Sequence, residues 1–277
     1  MHETVSTIRS GWRPTPEPKE NGSTKLDQWA IDSERIWRSR IESLPADSPS
    51  RCAHGFFTFA YMFDSVNRLG FTELRGVLRD APSLTGWNVW WVPTRSEIAP
   101  SIVDGAIECW LGGDTSEHQD TRDSAHSDFW RVSPDGFAFL LRGYQEDGEH
   151  AVRVGMEPGT CLDVTLPIWR VGEALLHALY IGGRFGASAV SFAARYTGLQ
   201  GRRLTHWADP MGYGWGSGVT KEDSVSVSTH VPLETVGANL VEVVQSLLSP
   251  LYERFDFTRL PPEVVQHELS KLRKRAA

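Results

Sequence analysis

Cysteine is scarce in this chain, with only three among 277 residues. Cys52, Cys109 and Cys161 lie far apart, and their number is odd. Disulfide-dependent secreted domains have more cysteines at closer spacings, and structural zinc sites use closely spaced pairs. The pattern therefore predicts buried thiols in a cytoplasmic protein, with no disulfide framework and no metal site.

Net positive charge is also missing. The 28 lysines and arginines are outnumbered by 35 aspartates and glutamates, which leaves a formal net charge of -7. A broad nucleic-acid-binding surface needs a basic field that neutralises phosphates. The composition therefore predicts that the chain itself does not bind DNA directly.

Long hydrophobic runs are absent, and the N-terminal residues contain no apolar segment typical of a secretory signal. A membrane-spanning helix needs about 20 consecutive apolar residues, so no membrane segment is expected. Enzyme motifs are missing as well. There is no G-x-S-x-G, and the glycine-rich stretch 209–219 lacks the lysine of a phosphate loop. No cofactor is expected.

The apolar pattern predicts an α+β fold, with a largely antiparallel sheet and amphipathic helices packed on one face. The expected strands cover residues 56–63, 88–92, 106–111, 129–132, 137–142, 189–197 and 225–231. The expected helices cover residues 25–44, 71–81, 167–182, 234–248 and 261–275. Polar loops are expected at 112–127 and 145–158. Residues 1–24, rich in proline and small polar residues, are expected to form a flexible arm before a single domain over 25–277.

Tryptophan is abundant by contrast, with 11 residues, several of them next to arginine or glutamate. The densest run is Trp87 to Arg95. An indole has a large apolar body and one polar tip, which suits a half-wet surface. Such clusters form stacking pockets for flat ligands or hot spots of protein interfaces, and they also serve ordinary core packing. The sequence leaves these alternatives open.

Strand and helix periodicity suggests that charged and aromatic side chains converge. Glu108 and Trp110 share one strand face, and Trp169 and Glu173 share one helical stripe. The candidate ligand-binding residues are Trp91, Arg95, Glu108, Trp110, Trp130, Arg142, Trp169, Arg170, Glu173 and Arg195. Guanidinium groups and indoles of this kind bind anions or planar bases. The alternative is a structural network of ion pairs covered by tryptophan.

Glu173 and His177 lie one helical turn apart, a spacing that an acid–base pair or a metal site can use. The pair has no third partner at a recognisable spacing. A lone histidine on a helix is more often a packed or solvated side chain, so no metal or catalytic residue is assigned from it.

Six stretches together resemble a known family. They are WWVPTR at 90–95, DGAIECW at 104–110, SDFWRVSPDG at 127–136, LLRGY at 140–144, LPIWRVGE at 166–173 and LYERFD at 251–256. They are similar to the region that follows the DNA-binding domain in bacterial AlbA-like (Schlafen-type) helix-turn-helix proteins. Residues 1–50 are too short for that domain. The resemblance therefore implies the companion module and carries over neither DNA binding nor a catalytic residue.

The leading hypothesis is a non-enzymatic sensing or protein-interaction module that acts with a DNA-associated or defence-type partner and takes a nucleotide-like small molecule. The alternative is a nucleotide-directed hydrolase or transferase. In that case Glu108 or Glu173 would act as the base, and Arg95, Arg142 or Arg195 would clamp an anion. A concave, water-excluding pocket around a carboxylate would favour the enzyme, and a flat tryptophan-lined patch would favour the interaction module.

Overall fold

The computed structural model describes residues 20–64, 66–113, 123–206, 218–257 and 260–275. Most of the expected arm at 1–24, the centre of the loop at 112–127 and most of the stretch 209–219 lie outside these ranges. A helix begins at Glu20, within the span predicted as an arm.

Seven strands form one sheet, and each neighbouring pair is antiparallel. They are β1 (Phe56–Phe63), β2 (Ser101–Val103), β3 (Ala106–Trp110), β4 (Phe129–Val132), β5 (Phe137–Gly143), β7 (Ala189–Tyr196) and β9 (Val225–Pro232). Their order is β2-β3-β4-β5-β1-β7-β9. Two further strands, β6 (Cys161–Asp163) and β8 (Arg203–Thr205), form a small parallel pair.

Helices cover both faces of the sheet. They are α1 (Glu20–Ile41), α2 (Phe71–Arg79), α3 (Glu149–Arg153), α4 (Thr165–Phe185), α5 (Leu233–Ala238), α6 (Leu240–Glu253) and α7 (Pro262–Arg275). The predicted α+β class and the antiparallel sheet are confirmed. Two short elements, a 3-10 turn at 145–147 and α3, occupy the expected loop at 145–158.

The central strand β1 shows how the two cores are separated. Phe57, Phe59 and Tyr61 point into the larger core with α4, α6 and α7. Phe56 and Ala60 point into a smaller core with α1. Side chains alternate between the two faces of a strand, so adjacent residues of β1 point into different cores. The helices therefore do not share one face, because α1 packs on the face opposite α4.

Helix α4 begins where Asp163 binds its free N-terminal groups. Asp163 Oδ1 accepts hydrogen bonds from the backbone N–H of Thr165 (2.7 Å) and Leu166 (3.1 Å). Pro167 follows in the first turn, where its missing N–H costs nothing. The helix ends at Gly186, whose φ of 66° is readily adopted by glycine. This helix positions Arg170, the glutamate and the histidine described below.

The strand expected at residues 88–92 is wrong, because this segment forms turns. Trp90 has φ of 49°, a left-handed conformation that no strand adopts. The backbone carbonyls of this region accept hydrogen bonds from side chains instead of a neighbouring strand. Arg142 Nη2 donates to the carbonyl of Asn88 (2.7 Å), and Trp130 Nε1 donates to that of Trp91 (2.9 Å).

Candidate functional site

The ten candidate residues do not form the single cluster that strand parity suggested. Glu108 and Trp110 lie on the α1 face of the sheet, and Arg195 lies there too, paired with α1. Arg142 and Glu173 lie on the α4 face. The expected convergence is wrong. Alternation within a strand shows which residues share a face of that strand, but it does not show how different strands are placed relative to one another.

The cluster on the α1 face is a buried ion-pair network. Glu108 is 4% exposed and contacts both Arg40 of α1 and Arg131 of β4. The guanidinium of Arg131 lies 4.9 Å from the ring centroid of Trp29, and that of Arg40 lies 5.8 Å from Trp110. These contacts fix α1 to the sheet, and the arginines neutralise the carboxylate.

Four other candidates lie outside this network and the one on the α4 face, and they are either exposed at the surface or packed against neighbouring elements. Arg195 is exposed and pairs with Glu34 of α1 (3.1 Å). Trp130 is fully buried. Trp169 Nε1 donates to Glu268 of α7 (2.9 Å). Arg95 is exposed and lies in the turns after Trp91.

The network on the α4 face holds the segment 85–91 against the sheet. Arg142 Nε and Nη2 donate to the two carboxylate oxygens of Asp128 at 2.7 and 2.6 Å. Both side chains are almost completely buried, at 2% and 0% exposure. The same guanidinium donates to the carbonyls of Trp87 and Asn88. A buried guanidinium group needs this degree of pairing. The hydrogen-bond donors of Arg142 are therefore occupied by Asp128 and the two carbonyls.

Arg170 and Glu173 extend this network along α4. Arg170 Nη1 donates to Thr85 Oγ1 (3.0 Å) and to the carbonyl of Trp87 (2.8 Å). Thr85 Oγ1 lies 2.9 Å from Glu173 Oε1. Burial lowers the pKa of Arg170 to about 10, and burial raises the pKa of Glu173 above its ordinary value although Arg170 lies nearby. The two opposite charges compensate each other in a dry setting.

A cavity of about 200 Å³ lies between this segment and α4. We call it the α4 cavity. Its walls come from the end of α2 and the turn after it, from residues 88–92, and from Glu173 and His177. Trp91 and Asn88, which also line it, are half-buried. The volume is below the roughly 300–1,000 Å³ of drug-sized ligand pockets, which points to a ligand of one or two rings.

His177 is the unusual wall residue of the α4 cavity. It is 6% exposed, and its Nδ1 lies 3.1 Å from the hydroxyl of Tyr61. Its ring stacks on the indole of Trp90, with centroids 4.6 Å apart and an interplanar angle of 14°. Within the described residues its Nε2 has no hydrogen-bond partner. Burial lowers the pKa of His177 to about 3, so the imidazole is neutral at physiological pH.

A larger cavity of about 420 Å³ lies elsewhere, between residues 46–55, 123–124 and 147–158. Its walls are acidic, but the main carboxylates are already used. Asp147 pairs with Arg202 at 2.6 Å. Asp123 accepts from the backbone N–H groups of Ala125 and Glu149. These carboxylates hold loops together, and their hydrogen-bonding capacity is used within the protein. We therefore place the candidate site in the α4 cavity, although its volume is smaller.

Metal binding and membrane insertion find no support in the part of the chain that is described. No set of His, Cys, Asp or Glu side chains there is arranged to hold a metal ion. No helix there is long and apolar enough to cross a membrane. The three cysteines are free, and their burial is as the sequence predicts.

Comparison with known proteins returns no relative. No family model, no curated protein and no solved structure matches the chain. The similarity to the AlbA-like companion region stays a prediction.

Sequence reasoning found part of this site and missed the rest. Glu173 and Trp91 are among the candidates that the sequence predicts, and the spacing of Glu173 and His177 is visible in the sequence without indicating a role. Asn88, Thr85 and Tyr61 were missed. Their partners are far away in the chain, since Thr85 contacts Glu173 and Tyr61 contacts His177. No local pattern signals such contacts.

Proposed function

We propose that this protein is a non-enzymatic sensing module that binds a small planar ligand in the α4 cavity. The observation that carries the proposal is a buried nitrogen of His177 that lacks a partner in a side chain lining this cavity. A buried polar atom without a hydrogen bond costs about 1–3 kcal/mol, which a ligand that supplies the bond recovers. The indoles of Trp90 and Trp91 in the same walls suit a flat ring.

Whether the cavity holds a ligand would determine how this protein binds a protein partner. Such a partner, DNA-associated or of a defence type, is proposed from the similarity to the AlbA-like companion region. Residues 88–91 of the segment 85–91 form a wall of the cavity, and Arg142 and Arg170 hold this segment. A ligand that changes the conformation of this segment would also change a protein surface to which a partner can bind.

The enzymatic alternative has one observation in its favour, the raised pKa of Glu173 beside the cavity. Against it stands the state of the arginines that would clamp an anion. Arg142 is bound by Asp128 and two carbonyls, and Arg195 pairs with Glu34 on the opposite, α1 face of the sheet. Anion binding would have to break these contacts. We therefore favour binding without turnover.

A panel of planar heterocycles, from uracil to indole, tests the proposal by thermal unfolding. A ligand at a free concentration of about ten times its Kd stabilises the folded state by about 1.4 kcal/mol, which raises Tm by a few degrees. Ala81→Met extends a wall side chain into the α4 cavity and should abolish the increase. Ala53→Met, at the larger cavity, is the matched control and should retain it. An increase that survives Ala81→Met, or none in the wild type, contradicts the proposal.

A further inference from the structure

The tautomer of His177 follows from its only polar contact among the described residues. Tyr61 is buried, and its hydroxyl has the imidazole Nδ1 as its one hydrogen-bond partner among the described residues. A hydroxyl carries a proton that needs an acceptor, and a neutral imidazole has one acceptor nitrogen. The hydroxyl therefore donates to Nδ1, and Nε2 carries the ring proton. His177 presents an unused N–H donor.

An acceptor lies one helical turn away on the same side of α4. Glu173 also lines the cavity and is 1% exposed. Side chains at this spacing have Cβ atoms about 5–6 Å apart. Thr85 and Arg170 occupy part of the carboxylate, but each oxygen accepts more than one hydrogen bond. An unused donor and an acceptor therefore belong to neighbouring side chains of the cavity wall.

The charge balance favours a neutral ligand. The carboxylate of Glu173 is compensated by Arg170, and Arg79, the other charged lining residue, is exposed and paired with Asp80. The geometry favours a planar one. A ring that accepts the N–H of His177 and is coplanar with the imidazole lies nearly parallel to the indole of Trp90, because the His177 and Trp90 ring planes differ by only 14°.

Building on the proposed sensing function, we infer that the ligand is a neutral planar heterocycle whose edge carries a carbonyl next to an N–H group. The carbonyl accepts from His177 Nε2, and the N–H donates to Glu173. This is the lactam or imide edge found in pyrimidine and purine bases. Tyr61 acts as a positioning residue, because its hydroxyl selects the tautomer that points a donor at the ligand.

Uracil and N,N′-dimethyluracil form the matched pair of probes, since methylation removes the N–H groups and leaves the carbonyls. Calorimetric titration should show uracil binding the wild type about tenfold more tightly, as expected for one hydrogen bond at a buried site. His177→Phe keeps a ring on Trp90 and removes the donor, so uracil affinity should fall about tenfold. His177→Gln, which supplies an N–H donor, should restore part of the affinity.

Equal affinity for the two probes, or uracil affinity unchanged in His177→Phe, overturns the inference. If His177→Phe does not fold, the comparison of the two probes on the wild type and on His177→Gln decides. Binding of indole to the α4 cavity without binding of uracil overturns the lactam edge but leaves the sensing function standing. If none of the probes binds the cavity, both are wrong.

Discussion

The neutral state of His177 is the residue-scale feature with the most direct consequence. Folding lowers its pKa from 6.5 to about 3 by burial. Between these values the unfolded chain binds a proton that the folded protein does not bind. The stability from this group is therefore fully present above pH 6.5 and is lost as the pH falls toward 3.

Replacing His177 should remove this dependence. The free energy of unfolding of the wild type should fall more steeply with decreasing pH than that of His177→Gln, by about 1.4 kcal/mol per pH unit. Urea unfolding of both proteins between roughly pH 4.5 and 6 measures the difference, while the carboxylates common to both cancel. Parallel stability curves would show that folding does not shift the pKa of His177, which contradicts the buried, neutral imidazole described above.

At the scale of elements, the segment 85–91 depends on one buried ion pair. Asp128→Asn removes the charge that compensates Arg142 and should lower the free energy of unfolding by about 3–5 kcal/mol. Arg195→Ala removes an exposed pair with Glu34 and should cost less than about 1 kcal/mol. Chemical denaturation measures both. Amide hydrogen exchange in 85–91 should increase in Asp128→Asn alone, and similar losses in the two variants would contradict this account.

The elements could be predicted from the sequence where their pattern is local. Alternation in Val225–Pro232 and the helical stripe of α4 identify a strand and a helix without any knowledge of neighbours. The segment 88–92 could not be predicted. Its apolar composition suits a strand, but side chains of Arg142 and Trp130, far along the chain, bind its carbonyls and favour turns.

At the scale of the whole molecule, the sheet divides the charged tryptophan-rich motifs into two groups. Strand parity correctly indicates that Glu108 and Trp110 share a face, and the structure places Arg142 on the other face. Strand parity does not indicate that these two faces are opposite, because that depends on strand order and register. The group on the α1 face attaches a helix, and the group on the α4 face builds the wall of a cavity.

The central claim, that the α4 cavity is a ligand site, is tested most directly by the indole N–H resonances of the 11 tryptophans. Two-dimensional NMR during titration with uracil should shift the signals of Trp90 and Trp91, which line the cavity. The signal of Trp37, a buried residue of α1 on the other face of the sheet, should stay in place. Unchanged Trp90 and Trp91 signals at saturating uracil, or a shift confined to tryptophans outside the cavity, would contradict the account.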